Sequence, residues 1–315
     1  NSYAMKKFQK MAMIALLAIS TIACDSDDDA APAPQTITDI AAANPNFSTL
    51  VTALQRTGLD DVLDASGSYT VFAPTNDAFT TFLSGANVND VPVPVLTQIL
   101  LNHVVSGTVQ SSQLTTGYVE TLATYNGVAN GSNLNMYVST ADGVELNGVS
   151  TVTTANIIAS NGVIHVVDAV IGLPTVVTFA TADPNFSSLV ATLTSPGQPD
   201  FVGILSGAGP FTVFAPTNDA FTAFGAELAA IPLVPSAAQV TAVLQYHVAS
   251  GNVLSSSLTN NQVVTTLQGG TFTIGLTGGA KITDANARVS NIVAVDVQAA
   301  NGVIHVVDKV LLPAL

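Results

Sequence analysis

Thr70-Val71-Phe72-Ala73-Pro74-Thr75-Asn76-Asp77-Ala78-Phe79 returns letter for letter as Thr212-Val213-Phe214-Ala215-Pro216-Thr217-Asn218-Asp219-Ala220-Phe221, 142 residues later. Asn161-Gly162-Val163-Ile164-His165-Val166-Val167-Asp168 returns as Asn301-Gly302-Val303-Ile304-His305-Val306-Val307-Asp308, 140 residues later. Pro45-Asn46-Phe47-Ser48 is answered by Pro184-Asn185-Phe186-Ser187. Such a period is domain-sized, far above the roughly 20–50 residues of solenoid repeats. Two copies of one domain therefore stand in tandem. All four histidines fall in equivalent pairs, His103 with His247 and His165 with His305, so any chemistry they perform is performed twice.

Outward from the first box, each repeat reads as α+β. Thr36 N-caps a short helix, with Asp39 three residues on. A second helix follows Pro45 and buries Phe47, Leu50, Val51 and Leu54 at helical spacing. Ser68 to Ala73 alternates as a strand, with Tyr69 and Val71 on one face and Phe72 on the other, and Pro74 ends it. Thr75 caps the next helix, whose first turn carries Asp77 where the helix dipole favours a negative charge. Pro94 to His103 forms a further helix with Leu96, Ile99, Leu100 and His103 on its buried stripe. Beyond it, short Thr/Val/Tyr-rich runs alternate with Asn-Gly and Asp-Gly turns, and Asn161-Gly162 joins Ile157–Ser160 to Val163–Val167 as a hairpin. The seam is Gly172-Leu173-Pro174, which gives domains at 36–173 and 174–315 with almost no linker, so the two should abut.

Hydrophobic residues make up 48% of the chain and charged ones 9%, so the domain surfaces must rely on Thr, Ser, Asn, Gln and Gly. From Met5, the cations Lys6, Lys7 and Lys10 lead into an apolar stretch that stops at Cys24, the sole cysteine. That stretch is too short for a bilayer span and reads as a leader over 1–23. Ser20-Thr21-Ile22-Ala23-Cys24 resembles a bacterial lipobox, with Thr21 where leucine is usual, and implies lipidation at Cys24. Residues 24–35, an Asp-rich run and then Ala/Pro, form a solvated tether. The acidic run resembles signals that send lipoproteins to the cell surface, so an outer-membrane lipoprotein exposed at the surface is expected. Without the leader, Arg56, Lys281, Arg288 and Lys309 face 21 carboxylates, a formal 4 − 21 = −17. Phosphate recognition needs clustered Lys and Arg; nucleic acid is excluded as a partner.

The two boxes, in order and at similar separation in both halves, resemble those of the fasciclin domain. The resemblance implies a wedge-shaped β-sandwich of about seven strands in two sheets, flanked by short helices. It also implies a non-enzymatic role in adhesion or cohesion, with a cell-surface or matrix protein or a polysaccharide as partner. Tandem copies would bind bivalently and could self-associate weakly. In fasciclin domains a Tyr-His pair has been implicated in receptor binding. Tyr246-His247 matches it, whereas the first repeat has Asn102-His103. Tyr246 lies one residue off the buried stripe, and its ring is expected at the surface.

His165 and His305 alternate with valines and sit on apolar strand faces, as hydrogen-bonded core residues rather than ligands or bases. Asn76 or Asp77, and Asn218 or Asp219, are the expected partners. No Gly-x-Ser-x-Gly elbow, His-Glu-x-x-His or Walker loop occurs, and no two histidines have metal-ligand spacing. Neither cofactor nor metal is expected. A glycan- or small-ligand-binding envelope protein, using a groove between the domains, is the alternative; the mature chain has no Trp to stack on sugars.

Overall fold

A computed structural model describes residues 34–65, 67–127, 131–231 and 234–314 of the chain. The leader, Cys24 and the acidic run lie outside them. In the first domain the helices are α1 (Ile37–Ala43), α2 (Ser48–Thr57), α3 (Leu59–Asp64), α4 (Asn76–Leu83) and α5 (Val93–Leu101). Its strands are β1 (Tyr69–Pro74), β2 (Val104–Ser106), β3 (Gly117–Thr124), β4 (Asn133–Ser139), β5 (Glu145–Leu146), β6 (Ser150–Ala159) and β7 (Gly162–Val167). The second domain repeats them as α6 (Val176–Ala182), α7 (Ser187–Leu193), α8 (Phe201–Leu205), α9 (Asn218–Ala230) and α10 (Ala237–Tyr246). Its strands are β8 (Phe211–Pro216), β9 (Val248–Ser250), β10 (Val263–Thr265), β11 (Thr271–Gly275), β12 (Lys281–Thr283), β13 (Val289–Ala299) and β14 (Gly302–Val307). No helix among the described residues is long and apolar enough to cross a membrane.

Local chemistry sets the element ends. The Thr36 hydroxyl accepts from the Asp39 N–H while the Asp39 carboxylate accepts from the Thr36 N–H, a reciprocal cap for α1. Thr175 and Thr178 do the same for α6. Thr75 and Thr217 cap α4 and α9 through the Ala78 and Ala220 N–H groups. Gly58 closes α2 in the left-handed conformation at φ 68°.

The strands of the first domain run in the order β2-β1-β7-β6-β5-β4-β3, and the second domain has the equivalent order. Strand β6 pairs with β5 through Ser150 and Thr151, then with β7 from Val152 onward, with shifts in register. It thus passes from one layer to the other, as strands at sandwich corners do. The ends of the order come back together: β2 lies against β3, and Ala249 bridges to Thr266 in the second domain. The two expected sheets are therefore two layers of one hydrogen-bonded succession. Strand β1 alternates between two cores. Val71 and Ala73 face the helices with Leu50, Phe79 and Ile164, whereas Phe72 faces Met136, Val138 and Leu146 between the layers. Burial on both faces explains why both boxes are almost continuously apolar.

The domains share one compact body. Tyr137 of β4 is buried within the second domain's core, and Tyr118 of β3 meets Phe179 of α6 edge-on at 5.4 Å. The Tyr118 hydroxyl donates to the Asp183 carboxylate at 3.0 Å. The Gln298 N–H of β13 donates to Asn135 Oδ1 at 2.7 Å, buried at the contact. Asn135→Ala should strand that N–H, at a cost of about 1–3 kcal/mol. The expected result is earlier, two-step melting in calorimetry with both domains still able to fold.

Candidate functional site

The two boxes are neighbouring strands. Strand β1 pairs with β7 in parallel, Tyr69 opposite Gly162 through Pro74 opposite Val167, and β8 pairs with β14 likewise. Phe72 stands opposite His165 with ring centroids 5.5 Å apart, and Phe214 opposite His305 at 5.4 Å. Both imidazoles are fully buried. His165 Nε2 lies 2.9 Å from the Val109 carbonyl, which can only accept, so Nε2 carries the proton. Nδ1 then accepts from the Asn156 N–H at 3.3 Å. His305 repeats this with the Val253 carbonyl and the Asp296 N–H. Asn156 and Asp296 adopt left-handed backbone, φ 62° and 60°, at the register shifts of β6 and β13. Each imidazole thus holds a bulge against a loop, with no lone pair left for a metal.

Asn76 and Asp77 are not its partners, nor are Asn218 and Asp219. Asn76 Oδ1 accepts from the Thr49 N–H at 3.0 Å, and its amide donates to the Pro45 carbonyl at 2.9 Å. Asn218 does the same with Ser188 and Pro184. These side chains tie the first box to the Pro-Asn-Phe-Ser turn, while Asp77 and Asp219 stand in the first turns of α4 and α9. The box asparagines, read from sequence only as turn residues, do more. Asn301 Oδ1 accepts from the Val176 N–H at 2.9 Å, and its amide donates to the Leu205 and Gly207 carbonyls. Asn161 links α1 and α3 in the same way. Recurrence of Asn at both turns was the available signal.

The helix-end residues are not at the surface. Tyr246, expected to reach solvent, has 0% exposure. Its hydroxyl donates to the Thr271 carbonyl at 2.6 Å and accepts from the Ala285 N–H, and its ring meets Phe272 edge-on. The helical stripe covers one side of the chain here, but the layer holding β11 covers the other. Asn102 is equally buried, donating to the Gly172 carbonyl at 3.0 Å and accepting from Thr121. His103 Nδ1 donates to the Ile99 carbonyl at 2.7 Å, and Nε2 accepts from the Ile171 N–H at 2.9 Å. His247 is bonded likewise to Val243 and Leu311. Burial lowers the pKa of both from 6.5 to about 4. These four residues offer no contact surface.

What faces solvent is the outer side of the long strands. Thr151, Thr153, Ala155 and Ile158 of β6 are exposed, as are Asn291, Val293 and Val295 of β13. A groove at the domain seam is lined by Val93, Val95, Gln98, Leu134, Leu173 and Ala300 among others. No aromatic ring lines it among the described residues, so it lacks the stacking platform that the glycan reading needs.

Seven strands and short helices, held by paired boxes and present twice, define the class. A family model described as the fasciclin domain matches residues 45–174 and again 184–313. The chain belongs to the fasciclin-domain family. Protein sll1483 of Synechocystis is 42% identical over 140 residues, which cover 43% of this chain and 72% of that protein. Human periostin is 31% identical over 266 residues, 81% of this chain but 29% of periostin. A solved FAS1 domain pair from the insect cell adhesion molecule fasciclin I superposes with a TM-score of 0.53 at 22% identity. It covers 85% of this chain and 97% of that one, a likeness of fold.

Proposed function

We propose that this chain is an exported adhesion or cohesion module, held to the outer membrane by a lipid on Cys24 and acting without catalysis. The observation that carries this reading is that both halves are fasciclin domains, a pair of which was solved from a protein described as a cell adhesion molecule. The outer faces of β6 and β13 are the contact surfaces. They present Ile158, Val293 and Val295 among neutral residues, and Asp296 is the sole charge on the two strands. Such faces suit a neutral or weakly charged matrix protein or polysaccharide. Two linked weak sites can gain roughly 10²–10⁴ in avidity when both engage.

Aggregation of cells producing the protein tests this. Cys24→Ala should move the folded protein from the membrane fraction to the medium and abolish clumping. Ile158→Lys with Val293→Lys should leave the anchor intact and weaken clumping severalfold, because truncated anchors typically lose more than 1 kcal/mol. Clumping that is unchanged when the protein is absent rules out the adhesive role; retention of Cys24→Ala in salt-washed membranes rules out the lipid.

A further inference from the structure

The second domain contains an apolar cavity of about 390 Å³ between α7, α9 and α10. Phe221, Phe224, Gly225 and Leu228 of α9 and Val240 and Val243 of α10 line it. In the first domain the chain fills the same region itself. Leu83, at the end of α4, packs against the helix-side core, and the segment after it folds back to bury Val88. Arg56 pins that segment, donating to the Val88 carbonyl at 2.9 Å and the Val91 carbonyl at 2.6 Å.

Aligned on the shared boxes, Arg56 corresponds to Ser195 and Leu83 to Gly225. The pin and the filler are both gone, and α9 runs on to Ala230 where α4 stops at Leu83. The consequence shows at three equivalent pairs. Phe79, Leu96 and Ile99 are at most 5% exposed, whereas Phe221, Val240 and Val243 are only half-buried and border the cavity. Among the described residues, this apolar stripe lacks the internal cover that Leu83 gives it in the first domain. The volume left falls within the roughly 300–1,000 Å³ of small-molecule sites, which are likewise mostly apolar.

Most polar groups of the lining are already engaged, which leaves the Gln239 amide N–H and the second Glu227 oxygen at its edge. Thr192 donates to the Ser188 carbonyl, and both ring nitrogens of His247 are bonded. Glu227 pairs with Arg288 at 2.7 Å, and Gln239 Oε1 accepts from the Ser236 N–H. The walls are chiefly Phe, Leu and Val, so a charged ligand would lose hydration that most of the surface cannot replace. We propose that this cavity binds a small, uncharged, apolar molecule, aromatic or branched, in the space that Leu83 and Val88 fill in the first domain. The site is separate from the strand faces assigned to adhesion.

Titration of the whole chain with the neutral fluorophore N-phenyl-1-naphthylamine tests the proposal, alongside the variant Gly225→Leu. That change restores the first domain's residue. An added Cβ at Gly225 meets no atom within 4 Å, and leucine favours a helix more than glycine, so the variant should melt no lower than the wild type. The expected result is saturable binding of one probe per chain, weakened at least tenfold in Gly225→Leu. Equal binding by both proteins, or no saturable binding by the wild type, overturns the proposal. A wild-type dimer in sedimentation that the probe does not dissociate, and that Gly225→Leu abolishes, also overturns it, because a second copy would then be the occupant.

Discussion

Gly302→Ala should lower the melting temperature of the second domain by on the order of 10 °C or more, and Gly162→Ala should do the same to the first. These glycines open the second box, where it comes alongside the first. A Cβ built on Gly302 would sit 2.2 Å from the Phe211 carbonyl oxygen, and one on Gly162 would sit 2.0 Å from that of Tyr69. Both obstacles are backbone atoms of a strand held on either side, β8 between β9 and β14, and β1 between β2 and β7. Neither can yield without breaking a ladder, so the cost should exceed about 3 kcal/mol, at or above the upper end for overpacking. Gly225→Ala is the control, since its Cβ enters open space on a helix. Calorimetry decides the matter: if Gly302→Ala melts within a few degrees of wild type, the parallel pairing of the boxes is misplaced.

That pairing was not legible in the sequence. The boxes lie some 90 residues apart, and a parallel ladder leaves no turn signal between its strands. What could be read was local. The Thr36 cap, the face alternation of Tyr69, Val71 and Phe72, and the hairpin at Asn161-Gly162 all follow from chemistry within a few residues. The expected bond between His165 and Asn76 or Asp77 does not form, because two motifs that recur together need not pair their polar side chains with each other. The boxes meet through the parallel backbone ladder and the Phe72 and His165 rings, while the Asn76 amide serves a separate turn. Tyr246 is buried for a reason that helical spacing does not carry. A helical stripe says which side faces the helix's own partners, but not whether a second layer waits on the other side. The cavity, by contrast, was open to reading once the repeats were aligned, because Arg56 against Ser195 and Leu83 against Gly225 are visible in the letters.

Acid should destabilise both domains well before their carboxylates titrate. His103 and His247 are buried and neutral, and burial holds their pKa near 4 rather than 6.5. Each donates through Nδ1 and accepts through Nε2, so a second proton would set N–H against the N–H of Ile171 or Leu311. In the unfolded chain these histidines take up a proton as the pH falls through about 6.5. Between about 6.5 and 4 the unfolded state therefore binds more protons than the folded one. Stability is fully present above that window and falls as the pH drops through it. A shift of this size corresponds to about 3 kcal/mol for each histidine, one in each domain. Burial also lowers the pKa of His165 and His305, which add to the loss with the same sign. Asp64 and Asp308, whose pKa values are lowered from 3.8 by hydrogen bonds, lose their contribution only below the histidine window. Urea unfolding at pH 7.5, 6, 5 and 4.5 should show a progressive fall. In His103→Gln with His247→Gln the protein should start less stable at pH 7.5 but lose at least half of the pH slope. A wild type equally stable at pH 7.5 and 4.5, or a double variant with an undiminished slope, would show that these imidazoles are not the neutral, doubly bonded groups described.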